Sequence, residues 1–233
     1  MCTVTYIGQD NKQFVLTSNR DVHATRSPKT LSKKAHLIFG EDVLAGGTWM
    51  AASDKGKVVC LLNGAFENHL IKPLYRMSRG VMVLQYFDYE NSMDFIHQFD
   101  FQNIEPFTMI LIDTSSMIEL RWNGYDKIYS HLNLNGNYIW SSSTLYTYAT
   151  QQERAVWFKQ WLQAHPDPNW KDIWDFHENG GKKDAWNGFI MNRNGKVQTV
   201  STTSIERKDH TLSVRYFDRI SPHYSEAAFV VSS

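Results

Sequence analysis

The sequence contains few of the residues that build disulfide-rich, zinc-binding or membrane-spanning proteins. Its 233 residues include only two cysteines, Cys2 and Cys60, and no CxxC or Cys/His spacing is typical of a zinc site. No apolar stretch is long enough to span a bilayer, and the chain does not open with the basic and apolar segments of a signal peptide. We therefore expect a protein of the reducing cytoplasm with no membrane span, no metal and no cofactor.

The chain also lacks a net charge of either sign. Lys plus Arg and Asp plus Glu each number 24, and the isoelectric point is about 7.1. Because no field of the whole molecule attracts polyanions, we expect no nucleic-acid partner. A small-molecule substrate or an apolar ligand is the expected partner, and the oligomeric state is left open. The length fits one domain over residues 1–233 that buries its own core.

Aromatic residues are abundant. The chain has 8 Trp, 11 Tyr and 13 Phe, or 14% of its residues. Side chains of this size mostly pack a core, and they also form the walls of apolar ligand pockets. The composition therefore favours a bulky core and a pocket with aromatic walls.

Alternating apolar and polar residues predict strands in three parts of the chain. The first part has a hairpin, "CTVTYI" and "QFVLTS" around "GQDNK", with Cys2 at its edge, and then "HLIF" and "WMAASDKGKVVCLLN". The second part is a meander of "FTMILID", "MIELRWNG" and "NYIWSSS", and the third holds "GFIMNRNGKVQTVSTTSI" and "TLSVRYF". Residues 22–35 are polar and contain Pro28, which predicts a loop.

Helical spacing of apolar residues separates these groups of strands. It predicts two consecutive helices within residues 78–99 and two more within 151–176, interrupted at "HPDP". Antiparallel strands cannot bury both faces by themselves, so two stacked sheets with helices outside each is an economical arrangement. We expect an α+β fold, a four-layer αββα sandwich of two antiparallel sheets with outer helices.

The cysteine directly after the initiator methionine indicates a possible nucleophile. If Met1 is removed, Cys2 carries a free α-amine beside its thiol. A free thiol has a pKa of about 8.5 and needs a base or a nearby cation, and an α-amine of pKa about 7.7–8.0 supplies a base. By itself, a cysteine at position 2 also occurs by chance. Cys60, within an apolar run, is expected to be an inert core thiol.

Several short motifs follow Cys2 at intervals. They are "MCTV", "NRD" at 19–21, Arg26, Pro28, "GGTW" at 46–49 and "CLLN" ending at Asn63. Together they resemble the NRDE family, also called the transport and Golgi organisation protein 2 family, which looks like N-terminal-nucleophile (Ntn) hydrolases of αββα fold. The fourth residue of the signature is Val22 in place of Glu, and "SSST" at 141–144 stands where the resemblance implies "SN".

The chain is also similar, more distantly, to bile salt hydrolases and penicillin V acylases. These proteins begin "MCT" and share the spacing from Cys2 to Asp21 and an Asn after an apolar strand, here Asn63. Their usual Arg corresponds to Ser18 in this chain. Arg20, two positions further along, lies on the same face of an extended strand and could replace it.

This similarity implies a catalytic set of Cys2, Arg20, Asp21 and Asn63. Arg20 would stabilise the thiolate, Asp21 would orient the ammonium, and the Asn63 amide would donate to the tetrahedral oxyanion. The implied reaction is hydrolysis of a non-peptide linear amide through a thioester. A structural interpretation is also open: Arg20 and Asp21 could form a surface ion pair, and Asn63 before Gly64 is ordinary turn chemistry.

The family resemblance also supports a second hypothesis of a different class. Members of the family are linked to lipid or haem handling, so the chain could be a non-catalytic carrier for an apolar ligand, such as a lipid, an acyl group or haem. The sequence has no CxxCH haem motif. Likeness of fold does not decide between a hydrolase and a carrier.

Overall fold

Two antiparallel β-sheets lie face to face, and a pair of α-helices covers the outer face of each. The computed structural model describes residues 2–231. Three apolar clusters separate four layers: one between the sheets, and one between each sheet and its helices. The predicted αββα architecture is therefore confirmed.

The first sheet, which we call sheet A, contains both ends of the chain. Its strands are β1 (Cys2–Gly8), β2 (Phe14–Val22), β10 (Asn137–Ser141), β11 (Asn192–Arg193), β12 (Val197–Lys208), β13 (Thr211–Asp218) and β14 (His223–Val230). They are ordered β10-β1-β2-β12-β13-β14, and β11 pairs with β12. The N-terminal hairpin therefore lies inside the sheet, flanked by strands from distant parts of the chain.

The second sheet, sheet B, is formed by consecutive strands of the middle of the chain. Its strands are β3 (Leu31–Lys34), β4 (Leu37–Gly40), β5 (Met50–Ser53), β6 (Val58–Asn63), β7 (Phe107–Ile112), β8 (Met117–Trp122) and β9 (Lys127–Leu132). They are ordered from β3 to β9 in sequence. Each strand pairs with the next one along the chain, and residues 64–106, which contain a pair of helices, connect β6 to β7.

Two helical pairs interrupt the strands where the sequence predicts them. Helices α1 (Arg79–Gln85) and α2 (Ser92–Gln98) cover sheet B, and α3 (Tyr148–Ala164) and α4 (Trp170–Asn179) cover sheet A. Polar side chains cap their amino termini, and Ser78 and Thr147 accept hydrogen bonds from backbone N–H groups of α1 and α3. Among residues 2–231, no helix is long and apolar enough to cross a membrane.

Successive residues of the N-terminal hairpin point alternately to the core between the two sheets and to the core between sheet A and its helices. Val4, Tyr6 and Leu16 point into the core between the sheets. Ile7 and Val15 point outwards and pack beneath the helices. A strand buried on both faces is an apolar environment throughout, so every polar side chain on it needs a partner.

Two predictions about the strands were wrong, and two further strands were not predicted. The stretch predicted as a loop contains strand β3, and β9 and β14 were not predicted. These three are edge strands with exposed or mixed side chains, which weakens the alternation on which the prediction rests. Strand β10 does not continue the meander of β7 and β8, because it pairs with β1 in the other sheet. Strand β1 is consequently not at an edge.

Candidate active site

Cys2 and Arg20 are neighbours on one face of sheet A. Cys2 begins β1, is fully buried and faces the core between the sheets. The register of the hairpin pairs Cys2 with Arg20 of β2. Residues directly opposite each other on antiparallel strands project from the same face. The predicted proximity of a thiol and a guanidinium is therefore present in the structure.

Arg20 is held by two side chains and one backbone carbonyl, all from residues outside sheet A. Its Nη2 donates to Asp42 Oδ2 at 2.5 Å, and its Nη1 donates to the Arg26 carbonyl at 2.6 Å. Arg26 donates from Nε and Nη2 to the same carboxylate oxygen, at 3.0 and 2.6 Å. The Arg20 guanidinium also lies over the Trp49 ring, 4.0 Å from its centroid. These contacts fix the guanidinium beside Cys2.

The pKa values of Arg20 and Asp42 are shifted by burial in combination with their mutual attraction. Burial lowers the pKa of the Arg20 guanidinium, and the negative charge of Asp42 offsets only part of that effect. Burial alone would raise the pKa of Asp42, but the positive charge of Arg20 and the hydrogen bonds from Arg26 outweigh it and hold the pKa below its ordinary value. Asp42 is therefore an anion at neutral pH.

Asp21 lies on the opposite face of sheet A. It is fully buried and accepts hydrogen bonds from the Tyr146 hydroxyl at 2.9 Å and the Thr199 hydroxyl at 2.7 Å. Burial raises the pKa of Asp21, while the Thr199 hydrogen bond and the positive charge of Arg154 act against that rise. Arg154 is itself fully buried and lies over the Tyr146 ring, 3.7 Å from its centroid.

The strand register also indicates where the amine of Cys2 would lie. Cys2 pairs with Arg20, and Asp21 is the next residue along β2. Because the two strands run antiparallel, the amino end of Cys2 points toward Asp21. The predicted removal of Met1 concerns a residue that lies outside those the structure describes.

Ser142 connects Cys2 with Asn63. Its backbone N–H donates to the Cys2 carbonyl at 3.0 Å, and its hydroxyl donates to the Asn63 carbonyl at 2.7 Å. Asn63 ends β6 in sheet B, across the core from β1. The serine belongs to the "SSST" segment that departs from the expected "SN". This segment therefore joins the two sheets at the candidate site.

A cavity of about 170 Å³ opens beside these residues. Arg20 and Asn63 are part of its wall, whereas Cys2 is fully buried and is connected to the wall through its strand partner Arg20. The cavity wall also includes Arg26 and Arg79 as cations and Asp42 and Glu105 as anions. The cavity is polar and charged, so the predicted pocket with mainly aromatic walls is not found at this site.

The "GGTW" motif allows the backbone to approach α1 closely. Gly46 has a φ of 66°, in the left-handed region. A Cβ atom at Gly47 would lie 2.1 Å from the Gly80 carbonyl carbon, and the Thr48 N–H donates to the Gly80 carbonyl at 3.1 Å. Gly47 therefore lines the cavity, and the two glycines together form the bend before Trp49.

Cys2, Arg20 and Asn63 lie close together in the structure. Asp21 follows Arg20 on β2 but points to the opposite face of sheet A. The interpretation of Arg20 and Asp21 as a surface ion pair is wrong, because both are buried and they face opposite sides. The supporting residues Asp42, Ser142, Tyr146, Arg154 and Thr199 were not predicted. Ser142 lies in the "SSST" segment that the sequence singles out, and the other four are marked by no motif, since pairing between distant segments brings them to the site.

Comparison with known proteins gives a family and a fold. A family model described as Transport and Golgi organisation 2 matches residues 1–224. No curated protein sequence matches the chain. A cysteine-to-alanine variant of conjugated bile acid hydrolase from Clostridium perfringens has a TM-score of 0.62 at 8% identity, over 97% of this chain and 92% of the hydrolase.

A second solved structure has the same fold. The Caenorhabditis elegans ortholog of N-acylethanolamine-hydrolyzing acid amidase has a TM-score of 0.50 at 12% identity, over 88% of this chain and 92% of the amidase. At such identities the likeness shows the fold alone. The predicted Ntn-hydrolase-like fold is confirmed.

Proposed function

From the premise that the chain belongs to the Transport and Golgi organisation 2 family, we propose that it is a hydrolase that uses Cys2 to cleave a non-peptide linear amide. The observation that supports the proposal is the register of the N-terminal hairpin, in which Cys2 pairs with Arg20, a residue that lines the cavity. The two structural neighbours are themselves named as a hydrolase and an amidase. The earlier resemblance to the NRDE family is confirmed.

The proposed reaction begins after Met1 has been removed. The α-amine of Cys2 takes the thiol proton, and the thiolate attacks the carbonyl carbon of the amide. Arg20 stabilises the thiolate through its positive charge, and Asp21 orients the ammonium. The carbonyl oxygen becomes an oxyanion, which receives a hydrogen bond from the Asn63 amide. A lost oxyanion donor typically costs about 100- to 1000-fold in rate.

The tetrahedral intermediate then collapses to a thioester. The carbon–nitrogen bond breaks, and the ammonium of Cys2 returns its proton to the leaving amine. Water, deprotonated by the same amine, attacks the thioester carbonyl and releases the acid and the free thiol. The proposal includes a reducing compartment such as the cytoplasm, where Cys2 remains a thiol.

Cys60 is a matched control for the nucleophile. Both cysteines are free thiols, and both have no exposed area. Burial raises the pKa of Cys60, with a further contribution from nearby Cys2. Because exposure does not distinguish the two thiols, a difference in reaction rate reports activation of one of them.

The test is the intact mass of the untagged protein before and after brief treatment with iodoacetamide, followed by peptide mapping. We expect a mass without Met1, fast labelling of Cys2, and loss of that labelling in Arg20→Gln but not in Cys60→Ser. A retained methionine, or labelling of Cys2 no faster than of Cys60, would overturn the proposal.

The alternative is a non-catalytic carrier of an apolar ligand, such as a lipid, an acyl group or haem. The complete burial of Cys2 favours it, because a carrier needs no accessible thiol. In that case Cys2→Ala leaves ligand binding unchanged, and Cys2 shows no selective labelling.

A further inference from the structure

Two exposed apolar segments flank the mouth of the cavity. Six large apolar side chains in them are between 53% and 94% exposed. We call them the rim patch: Val43, Leu44, Phe66, Leu70, Ile71 and Leu74. Single exposed apolar residues are ordinary on a protein surface, but a group on adjoining segments marks an interaction site.

Both segments are attached to the cavity wall. Ala45, which follows Leu44, lines the cavity, and its carbonyl accepts a hydrogen bond from the Ser78 hydroxyl at 3.2 Å. His69, which precedes Leu70, lies 3.3 Å from the Glu105 carboxylate, and Glu105 is part of the same wall. The rim patch therefore borders the opening of the cavity.

The longer segment has neither helix nor strand over residues 64–78. Connections of this length without regular structure are uncommon in compact domains and usually have a function. This segment is not a mere linker, because the Arg76 N–H donates to the Asn103 carbonyl at 2.8 Å and holds its far end. The loop is fixed at its ends and presents apolar side chains to solvent between them.

The apolar tip of the loop, from Leu70 to Leu74, contains one charged residue, Lys72, and the acidic Glu67 lies three residues before Leu70. The sequence from Leu70 to Arg76 reads "LIKPLYR", in which Lys72 and Arg76 are the charged residues. Both are exposed. Apolar side chains at the tip of a loop with basic residues beside them suit a bilayer surface, where the former enter the acyl boundary and the latter meet anionic headgroups.

We propose that the rim patch docks this protein on the surface of an anionic lipid bilayer, with the cavity facing the membrane. The bilayer covers the side chains that the fold leaves in water, and it does so without a second protein. The chain has no net charge, and the attraction to anionic headgroups comes from Lys72, which lies among the apolar side chains of the loop tip. The proposal does not depend on Cys2 being a nucleophile.

The test is co-sedimentation of the full chain with vesicles of phosphatidylcholine alone and with vesicles that also contain phosphatidylglycerol. The double variant Leu70→Ser/Leu74→Ser removes apolar surface, and Lys72→Gln removes one charge. Val230→Ser is the matched control, because Val230 is an exposed apolar residue of the edge strand β14, outside the rim patch. Thermal unfolding verifies that each variant folds.

We expect the wild type to sediment with the anionic vesicles, and less with the neutral ones. The double variant should bind about tenfold more weakly, since it withdraws two leucines from the bilayer. Lys72→Gln should reduce only the preference for anionic vesicles, and Val230→Ser should change nothing. Equal binding by the double variant, or no binding by the wild type, overturns the proposal. A wild-type dimer that Leu70→Ser/Leu74→Ser converts to monomer overturns it too, by assigning the patch to a second copy.

Discussion

Replacing Asp42 with asparagine should destabilise the fold more than any change at the neighbouring surface. Asp42 and Arg20 form an ion pair of 2.5 Å, and each side chain is only 4% exposed. Asp42→Asn keeps the shape of the side chain but removes its charge. The Arg20 guanidinium is then left buried without its counter-ion, beside Trp49 and within the sheet.

The free energy of unfolding should fall by about 3–5 kcal/mol, which is typical when one partner of a buried ion pair is removed. The second partner, Arg26, has a side chain 41% exposed, so solvent screens that pair and it adds at most about 1 kcal/mol. For a chain of this length, 1 kcal/mol corresponds to about 2–4 °C in melting temperature. The loss of about 3–5 kcal/mol from the buried pair alone therefore lowers the melting temperature by roughly 6–20 °C.

The adjacent residue provides the control. Glu41 pairs with Lys34 at 2.7 Å, but these side chains are 29% and 58% exposed. Glu41→Gln should cost no more than about 1 kcal/mol. Denaturant and thermal unfolding at pH 7 compare the two variants with the wild type. If Asp42→Asn is as stable as Glu41→Gln, the buried pair does not hold Arg20 as described.

The ion pair between Arg20 and Asp42 also predicts how the stability of the fold depends on pH in acid. The pKa of Asp42 is depressed in the folded protein, so its stabilisation is complete above the unfolded-state value of about 3.9 and disappears as the pH falls through the lower folded value. The stability difference between wild type and Asp42→Asn should be constant above about pH 4 and should shrink below it. A difference that varies between pH 5 and 8 contradicts this assignment.

Two further predictions concern the outer face of sheet A. Tyr146→Phe removes one of the two hydroxyls that donate to Asp21, leaving Thr199, and should cost about 1–3 kcal/mol in denaturant unfolding, whereas an unchanged midpoint would contradict the hydrogen bond. Burial lowers the pKa of His177 to about 3, so the folded state binds this proton less readily than the unfolded state does. Stability should fall below the unfolded-state pKa of about 6.5, by up to about 1.4 kcal/mol per pH unit. His177→Gln should flatten that slope in denaturant titrations from pH 7 to 4, and an unchanged slope would exclude His177 as its source.

Local sequence patterns were sufficient for most elements of the core. The paired helices in 78–99 and 151–176 and the buried strands β2, β6 and β7 follow from spacing of apolar residues. The edge strands β3, β9 and β14 could not be predicted in this way, because the alternation of apolar and polar residues is weak in an edge strand that is exposed on at least one side. Assignment of β10 to sheet A also required the structure, since a strand's sequence does not specify its partner.

The candidate site divides in the same way. Cys2, Arg20, Asp21 and Asn63 are marked by short motifs, and the structure puts Arg20 and Asp21 on opposite faces of β2, which excludes the ion pair between them. The contacts that hold them, from Asp42, Ser142 and Tyr146, have no local signal.

The sequence by itself therefore determined the layers of the fold, the family and the candidate residues of the site. These depend on period, turn chemistry and motif, which act over a few neighbouring residues. Only the tertiary structure decided that β10 carries Ser142 to Cys2, that Asp42 meets Arg20, and that the rim patch borders the cavity. Such contacts join segments far apart in the chain, and they form because burial of both sheets selects one strand order, which no local pattern encodes.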